Sequence, residues 1–216
     1  MPVCVYALVA RPVMPLGKGA FREPLRAIRG NGVCAIVGRT ALSRKPTESA
    51  LRSYDRVVRR LFATHDPLAP ARFGTSFDDD AEITQMLADR RAALAGSLAR
   101  VAGGEQITLR IFSEAPLAKT RPSPEGGPGT RFLAKRQAAS APPKALAPLL
   151  LRLKPFVLET RVESHDAAPL RASVHQLIRR DRSTDYLRAL DEAALPAGIT
   201  IRATGPNPPW AFAETA

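Results

Sequence analysis

The chain has 216 residues, 45% of them hydrophobic and 24% charged, which is ordinary for a globular protein and enough for one large or two small domains. No run approaches the roughly 18 apolar residues of a membrane span, and the opening MPVCVYALVA lacks a basic leader and reads as a strand, so a cytoplasmic protein is expected. The net charge of +12 is concentrated early, with 12 Lys/Arg against 3 Asp/Glu in residues 1–64; such a surface could meet nucleic acid, an acidic partner, or nothing in particular.

In chain order, residues 3–9 are β-branched and aromatic and predict a first strand, and GVCAIVG at 32–38 predicts a second. The Pro/Gly/Arg-rich connection between them can hold a short element at 23–28. Cys4 and Cys34, the only cysteines, sit in these apolar runs, with no CxxC spacing and no nearby histidine. Buried thiols in neighbouring strands are expected, without zinc and, in a reducing compartment, without a disulfide. Thr47 is placed to cap a helix to about His65, with Leu51, Tyr54, Val58, Leu61 and Phe62 inward and Arg52, Arg56, Arg59 and Arg60 on a solvated face. Asp66-Pro67 stops it. A short strand follows at 69–74. Asp79 and Glu82 then resemble a capping box within the acidic run 78–80, which suits a helix start better than Mg²⁺ chemistry, because no phosphate-binding loop accompanies it. That helix runs to about Leu98, with Ile83, Leu87, Leu94 and Leu98 inward.

From residue 105 a second unit begins. Ile107, Leu109 and Ile111 alternate with polar residues; a Pro/Gly-rich loop spans 115–129; and a helical region at 130–153 is interrupted by Pro142-Pro143 and Pro148. Two strands at 156–162 and 170–178 read as a hairpin, followed by a helix at 182–194 with Tyr186, Leu187 and Leu190 inward and a last strand at 198–204. The order βαββαβ is that of a ferredoxin-like split βαβ fold. The expected class is therefore α+β in two domains, residues 1–102 and a ferredoxin-like 103–204, with an antiparallel four-stranded sheet carrying both helices on one face. A proline-rich tail, 205–216, is expected to pack on the body.

The tail is the most distinctive stretch. Gly205, Pro206, Pro208, Pro209 and Trp210 form Gly-Pro-x-Pro-Pro-Trp, with Phe212 beyond. Prolines lack the N–H a strand ladder needs, so the chain leaves the sheet stiffly and fixes its only Trp at one place. That Trp either caps the core, substantially buried, or serves as an aromatic anchor for a partner.

Chemistry is sparse. GxGxxG, P-loop, HExxH and GxSxG motifs are all absent. His65, at a helix C-terminus, is expected to meet the last carbonyls. The strands lack the aromatic motif on which RNA-binding sheets stack bases. No catalytic constellation, cofactor, metal or small-molecule substrate is expected, and nucleic acid is not favoured.

Two motifs in register resemble a known family, the gas-vesicle proteins GvpL/GvpF. One is the Gly205–Trp210 run; the other is Pro70-Ala71-Arg72-Phe73-Gly74-Thr75, like that family's Pro-x-Arg-Phe-Gly-Thr. The opening strand, Gly129 to Leu133, and the segment 174–190 are similar in the same order, so the resemblance spans nearly the whole chain. It implies a non-enzymatic structural or assembly protein, located at the gas vesicle, that binds the small hydrophobic shell subunit and accessory gas-vesicle proteins. Arg72, Phe73, Gly74, Thr75 and the tail residues would then be structural or partner-binding, with Phe73 buried and Gly74 allowing a turn. The prolines at 142–143 depart from the family's long continuous helix. The alternative is a basic binding module for nucleic acid or an acidic protein.

Overall fold

The computed structural model describes residues 1–40, 46–117 and 143–213. The chain is α+β, with two antiparallel sheets and five helices among the described residues. It divides into two compact units, Met1–Gly104 with Asn207–Ala216, and Glu105–Pro206.

In the first unit, strands β1 (Val3–Val9), β2 (Leu25–Arg29), β3 (Cys34–Arg39), β4 (Leu68–Pro70) and β5 (Ser76–Phe77) form one sheet of order β2-β3-β1-β4, with β5 also pairing on β1. β1 is buried from end to end because both faces of the sheet are covered. Helix α1 (Glu48–Thr64) covers one face, packing Tyr54, Val58 and Leu61 against Cys4, Tyr6, Ala7 and Val9. Helices α2 (Asp80–Asp89) and α3 (Arg91–Val101) supply Ile83, Leu87, Leu94 and Leu98 against Val3, Val5 and Leu8 on the other. The switch from odd to even positions follows a register shift between Val5 and Ala7, a bulge that carries Tyr6 and Ala7 onto the same side.

The α1 boundaries follow from the sequence: the Thr47 hydroxyl accepts from the Ala50 amide at 3.2 Å, and His65 is the C-cap. The stripe is shifted by one row, however. Val57 is buried, while Leu51 is 42% exposed. The helix expected from the acidic run is two helices, broken at Arg90. Asp79 caps the first, accepting from the Ala81 and Glu82 amides at 2.9 and 3.0 Å, and Glu82 reaches back to the Asp78 amide at 2.9 Å. Asp80 is held bidentately by Arg26, at 2.6 and 2.8 Å.

The second unit has β6 (Gly104–Phe112), α4 (Ala147–Leu153), β7 (Val157–Ser164), β8 (Leu170–Arg179), α5 (Ser183–Asp191) and β9 (Thr200–Asn207), in sheet order β7-β8-β6-β9. Its core packs Ile107, Leu109 and Ile111 against Leu146, Leu149 and Leu153 and against Tyr186, whose hydroxyl donates to Gln176 at 2.5 Å. Pro148 sits in the first turn of α4, where its missing N–H costs nothing. Pro143 precedes a short 3-10 turn, Lys144–Leu146. The Gly129 to Leu133 motif and Pro142 lie outside the described residues. β9 continues to Asn207, three residues beyond the expected end, and so includes Pro206; this is tolerated because β9 is an edge strand.

Candidate functional site

The first motif folds along β1. Ala71 donates its amide to the Tyr6 carbonyl at 3.0 Å, and the Thr75 carbonyl accepts from Val5 at 3.0 Å. Between them Arg72 to Thr75 form a tight turn closed by Thr75 N–H to Arg72 C=O at 3.1 Å. Gly74 has φ +93°, as the third residue of a type II turn requires. The turn leaves Arg72 exposed and swings Phe73 inward, half-buried, edge-on to the Tyr54 ring at 5.3 Å between centroids.

The tail motif is divided between the units. Gly205 and Pro206 lie in the part of β9 that belongs to the second; Pro208, Pro209 and Trp210 belong to the first. Gly205 has φ +144° and lies so close to β6 that a Cβ there would meet the Gln106 carbonyl oxygen at 2.7 Å. Pro208 and Pro209 are buried, and the Pro209 carbonyl accepts from Phe212 and Ala213 at 3.1 and 3.0 Å, closing a turn. Trp210 is partly buried, packed against the core on the α1 side of the sheet, and its ring lies 6.5 Å from Tyr54. Phe212 is the residue fully enclosed. A Trp followed two positions later by a Phe does not show which of them the turn will carry deepest.

Both motifs therefore converge on Tyr54, which the sequence marked only as one residue of an inward stripe. Its hydroxyl lies 2.9 Å from the carbonyl oxygens of both Val5 and Ala71, with one proton to donate between them. Its ring stacks on Tyr6 at 4.9 Å. Tyr6 in turn donates to the buried Glu23 carboxylate and accepts from the Ala20 amide at 2.9 Å, while Glu23 also accepts from the Phe21 amide at 2.9 Å. Burial raises both tyrosines well above the ordinary phenol range, Tyr6 also through Glu23. Burial, helped by the Glu23 charge, pushes the Cys4 thiol up to about 12, so it stays protonated. Cys4 and Cys34 are buried free thiols, paired with Gly38 and Val9 at opposite ends of the β1–β3 ladder.

The remaining candidates are anchors. His65 lies 2.8 Å from the Leu61 carbonyl through Nδ1, while its Nε2 accepts from the Val13 amide at 2.9 Å, which fixes the Nδ1–H tautomer. Asp66 accepts from the Gly103 amide at 2.9 Å. On the basic face of α1, Arg52 pairs with Glu48 at 2.5 Å and Arg59 with Asp55 at 2.6 Å, whereas Arg60 ties down the carbonyls of Leu16 and Lys18 at 3.1 and 2.7 Å. Among the described residues no group of three His, Cys, Asp or Glu is arranged to hold a metal ion, and no helix is long and apolar enough to cross a membrane.

Comparison with known proteins gives one consistent result. Residues 3–214 match the family model described as gas vesicle synthesis protein GvpL/GvpF. The fold is similar to the crystal structure of the gas vesicle protein GvpF from Anabaena sp. PCC7120, with a TM-score of 0.76 at 14% identity, covering 100% of this chain and 97% of that one. It is also similar to GvpF from Microcystis aeruginosa, with a TM-score of 0.74 at 14% identity and 99% of each chain covered. No curated protein matches.

Proposed function

Because the chain belongs to the gas vesicle synthesis protein GvpL/GvpF family, we propose that it is a non-enzymatic minor structural or assembly protein of gas vesicles, acting at the vesicle in the cytoplasm. Its partners are the small hydrophobic shell subunit and accessory gas-vesicle proteins, bound during nucleation or assembly. The observation that carries this reading is the family match from residue 3 to 214, beside a fold shared over 97% and 99% of two GvpF structures. The second unit is read as ferredoxin-like, supported by the element order βαββαβ and the sheet order β7-β8-β6-β9. The boundaries of 1–102, 103–204 and a tail from 205 belong to the same reading. So does a structural role for Arg72, Phe73, Gly74 and Thr75 and for Gly205, Pro206, Pro208, Pro209 and Trp210, since the rings of both motifs are spent on Tyr54.

The test is genetic and biochemical together. Cells deleted for this chain should lose or shorten their gas vesicles, and tagged chain should co-purify the shell subunit or an accessory gas-vesicle protein. Normal vesicles in the deletion strain, with salt-sensitive DNA binding by the purified chain, would favour the basic-module reading instead.

A further inference from the structure

The connection from β1 to β2, residues 10–24, is pinned from several sides. Val13 donates to His65 at 2.9 Å, Arg60 holds the Leu16 and Lys18 carbonyls, and Ala20 donates to Tyr6 at 2.9 Å. Leu16 is buried, Lys18 bridges to Pro24, and Gly19 donates to the Glu23 carbonyl at 2.7 Å. A loop fixed this firmly has no need of exposed apolar side chains for its own stability. It nevertheless exposes Val13 by 50%, Met14 by 69% and Phe21 by 42%. Those are three of the eight large hydrophobics exposed among the described residues, within nine positions.

The charges of the loop are sorted as well. Its only acid, Glu23, is turned inward onto Tyr6, while Arg11, Lys18 and Arg22 are exposed and have no carboxylate partner among the described residues. Arg22 holds φ +66°, the only left-handed residue other than glycine among those described. This strained residue sits where the chain must turn a cation out and the next carboxylate in.

We propose that this loop is a docking surface for a protein segment that presents an apolar strip flanked by carboxylates. Apolar side chains carried on a pinned backbone lose less entropy on binding than those of a loose loop, and the three unpaired cations select an acidic rim. A second copy of a +12 chain would bring like charges together. A lipid surface rewards a continuous apolar wedge, whereas here Leu16 is turned inward and Gly17-Lys18-Gly19 separates Phe21 from Met14. The inference rests on the gas-vesicle reading only for where the partner is sought.

The test places a photo-reactive phenylalanine analogue at position 14 or 21 of the full chain, with position 158 in β7, also exposed, as control. The chain is expressed with the gas-vesicle proteins of its host, and adducts are sequenced by mass spectrometry. Adducts at 14 and 21, but not 158, should map to one apolar stretch bearing Asp or Glu at its flanks. Their yield should fall about tenfold or more in an Arg11→Glu/Lys18→Glu/Arg22→Glu variant. A Met14→Ser/Phe21→Ser variant should lose the partner with an unchanged melting temperature, separating docking from folding. If the stretch lies in a protein outside the gas vesicle, the docking surface stands and the gas-vesicle reading falls. Adducts with lipid, none at 14 or 21, or yields indifferent to charge reversal overturn the docking surface and leave that reading untouched.

Discussion

Replacing Gly74 and Gly205 by alanine, one at a time, separates two reasons for a glycine. At Gly74 (φ +93°) an added Cβ meets nothing within 4 Å, so the cost is the backbone alone. A residue with a Cβ loses about 1–2 kcal/mol in that region, and the stiffer unfolded chain returns roughly 0.4–1 kcal/mol. The net loss for Gly74→Ala is therefore about 1 kcal/mol, or about 2–4 °C in melting temperature for a chain of this size. At Gly205 (φ +144°) the Cβ also comes within 2.7 Å of the Gln106 carbonyl oxygen, a backbone atom of the adjacent strand that cannot swing away. Overpacking adds about 1–3 kcal/mol, so Gly205→Ala should cost about 2–4 kcal/mol in all. Thermal melts by circular dichroism, repeated with Gly74→Asn and Gly74→Val, check the argument. Asparagine tolerates positive φ and should recover most of the loss, while valine should deepen it. Equal losses at the two glycines, or asparagine no better than valine, would refute the assignment of the Gly74 cost to φ.

Tyr54→Phe keeps the ring stack and removes the hydroxyl shared by Val5 and Ala71, so denaturant titration should show a loss of about 1–3 kcal/mol. Phe212→Ala should cost about 3–5 kcal/mol and exceed Trp210→Ala, because Phe212 is fully enclosed and Trp210 is not; the reverse order would mean that the tail docks through the indole. Burial raises the Glu105 carboxyl above its usual 4.5, and one of its oxygens has no hydrogen-bond partner among the described residues. The folded state thus holds that proton to higher pH than the unfolded state does, and stability falls as pH rises through the folded value. Glu105→Gln should accordingly stabilise the protein at pH 7, and the gain should vanish below about pH 4.5; a gain independent of pH would point to packing instead.

What the sequence made legible was whatever carries a local signal. α1 was bounded by a cap and a proline, Thr47 and Asp66-Pro67, and its limits agree to within a residue. β1 was plain as a strand, but a bulge inside the uninterrupted apolar run VCVYALV leaves no break in alternation to detect. The break at Arg90 has neither Pro nor Gly to announce it, so α2 and α3 read as one helix. β9 runs past the end expected at residue 204 because the rule against proline in strands holds for interior strands and not for an edge. The two motifs were visible as residues, whereas their meeting at Tyr54 was not: its ring contacts reach residues 48, 19 and 156 positions away in the chain.

The same contacts explain how the loop between β1 and β2 can carry exposed apolar side chains. An exposed loop of Val13, Met14 and Phe21 would tend to collapse onto the body if its backbone were loose. Here Tyr6, Glu23, Arg60 and His65 hold that backbone from below. Tyr6 is fixed through its stack on Tyr54, which is buttressed by Phe73 and Trp210 of the two motifs. A motif residue can therefore matter to binding without touching a partner, by way of Tyr54, Tyr6 and Glu23 to the loop. Loosening Tyr54 should release the apolar side chains before it unfolds the sheet, because the strands keep their own ladders while the loop loses its floor.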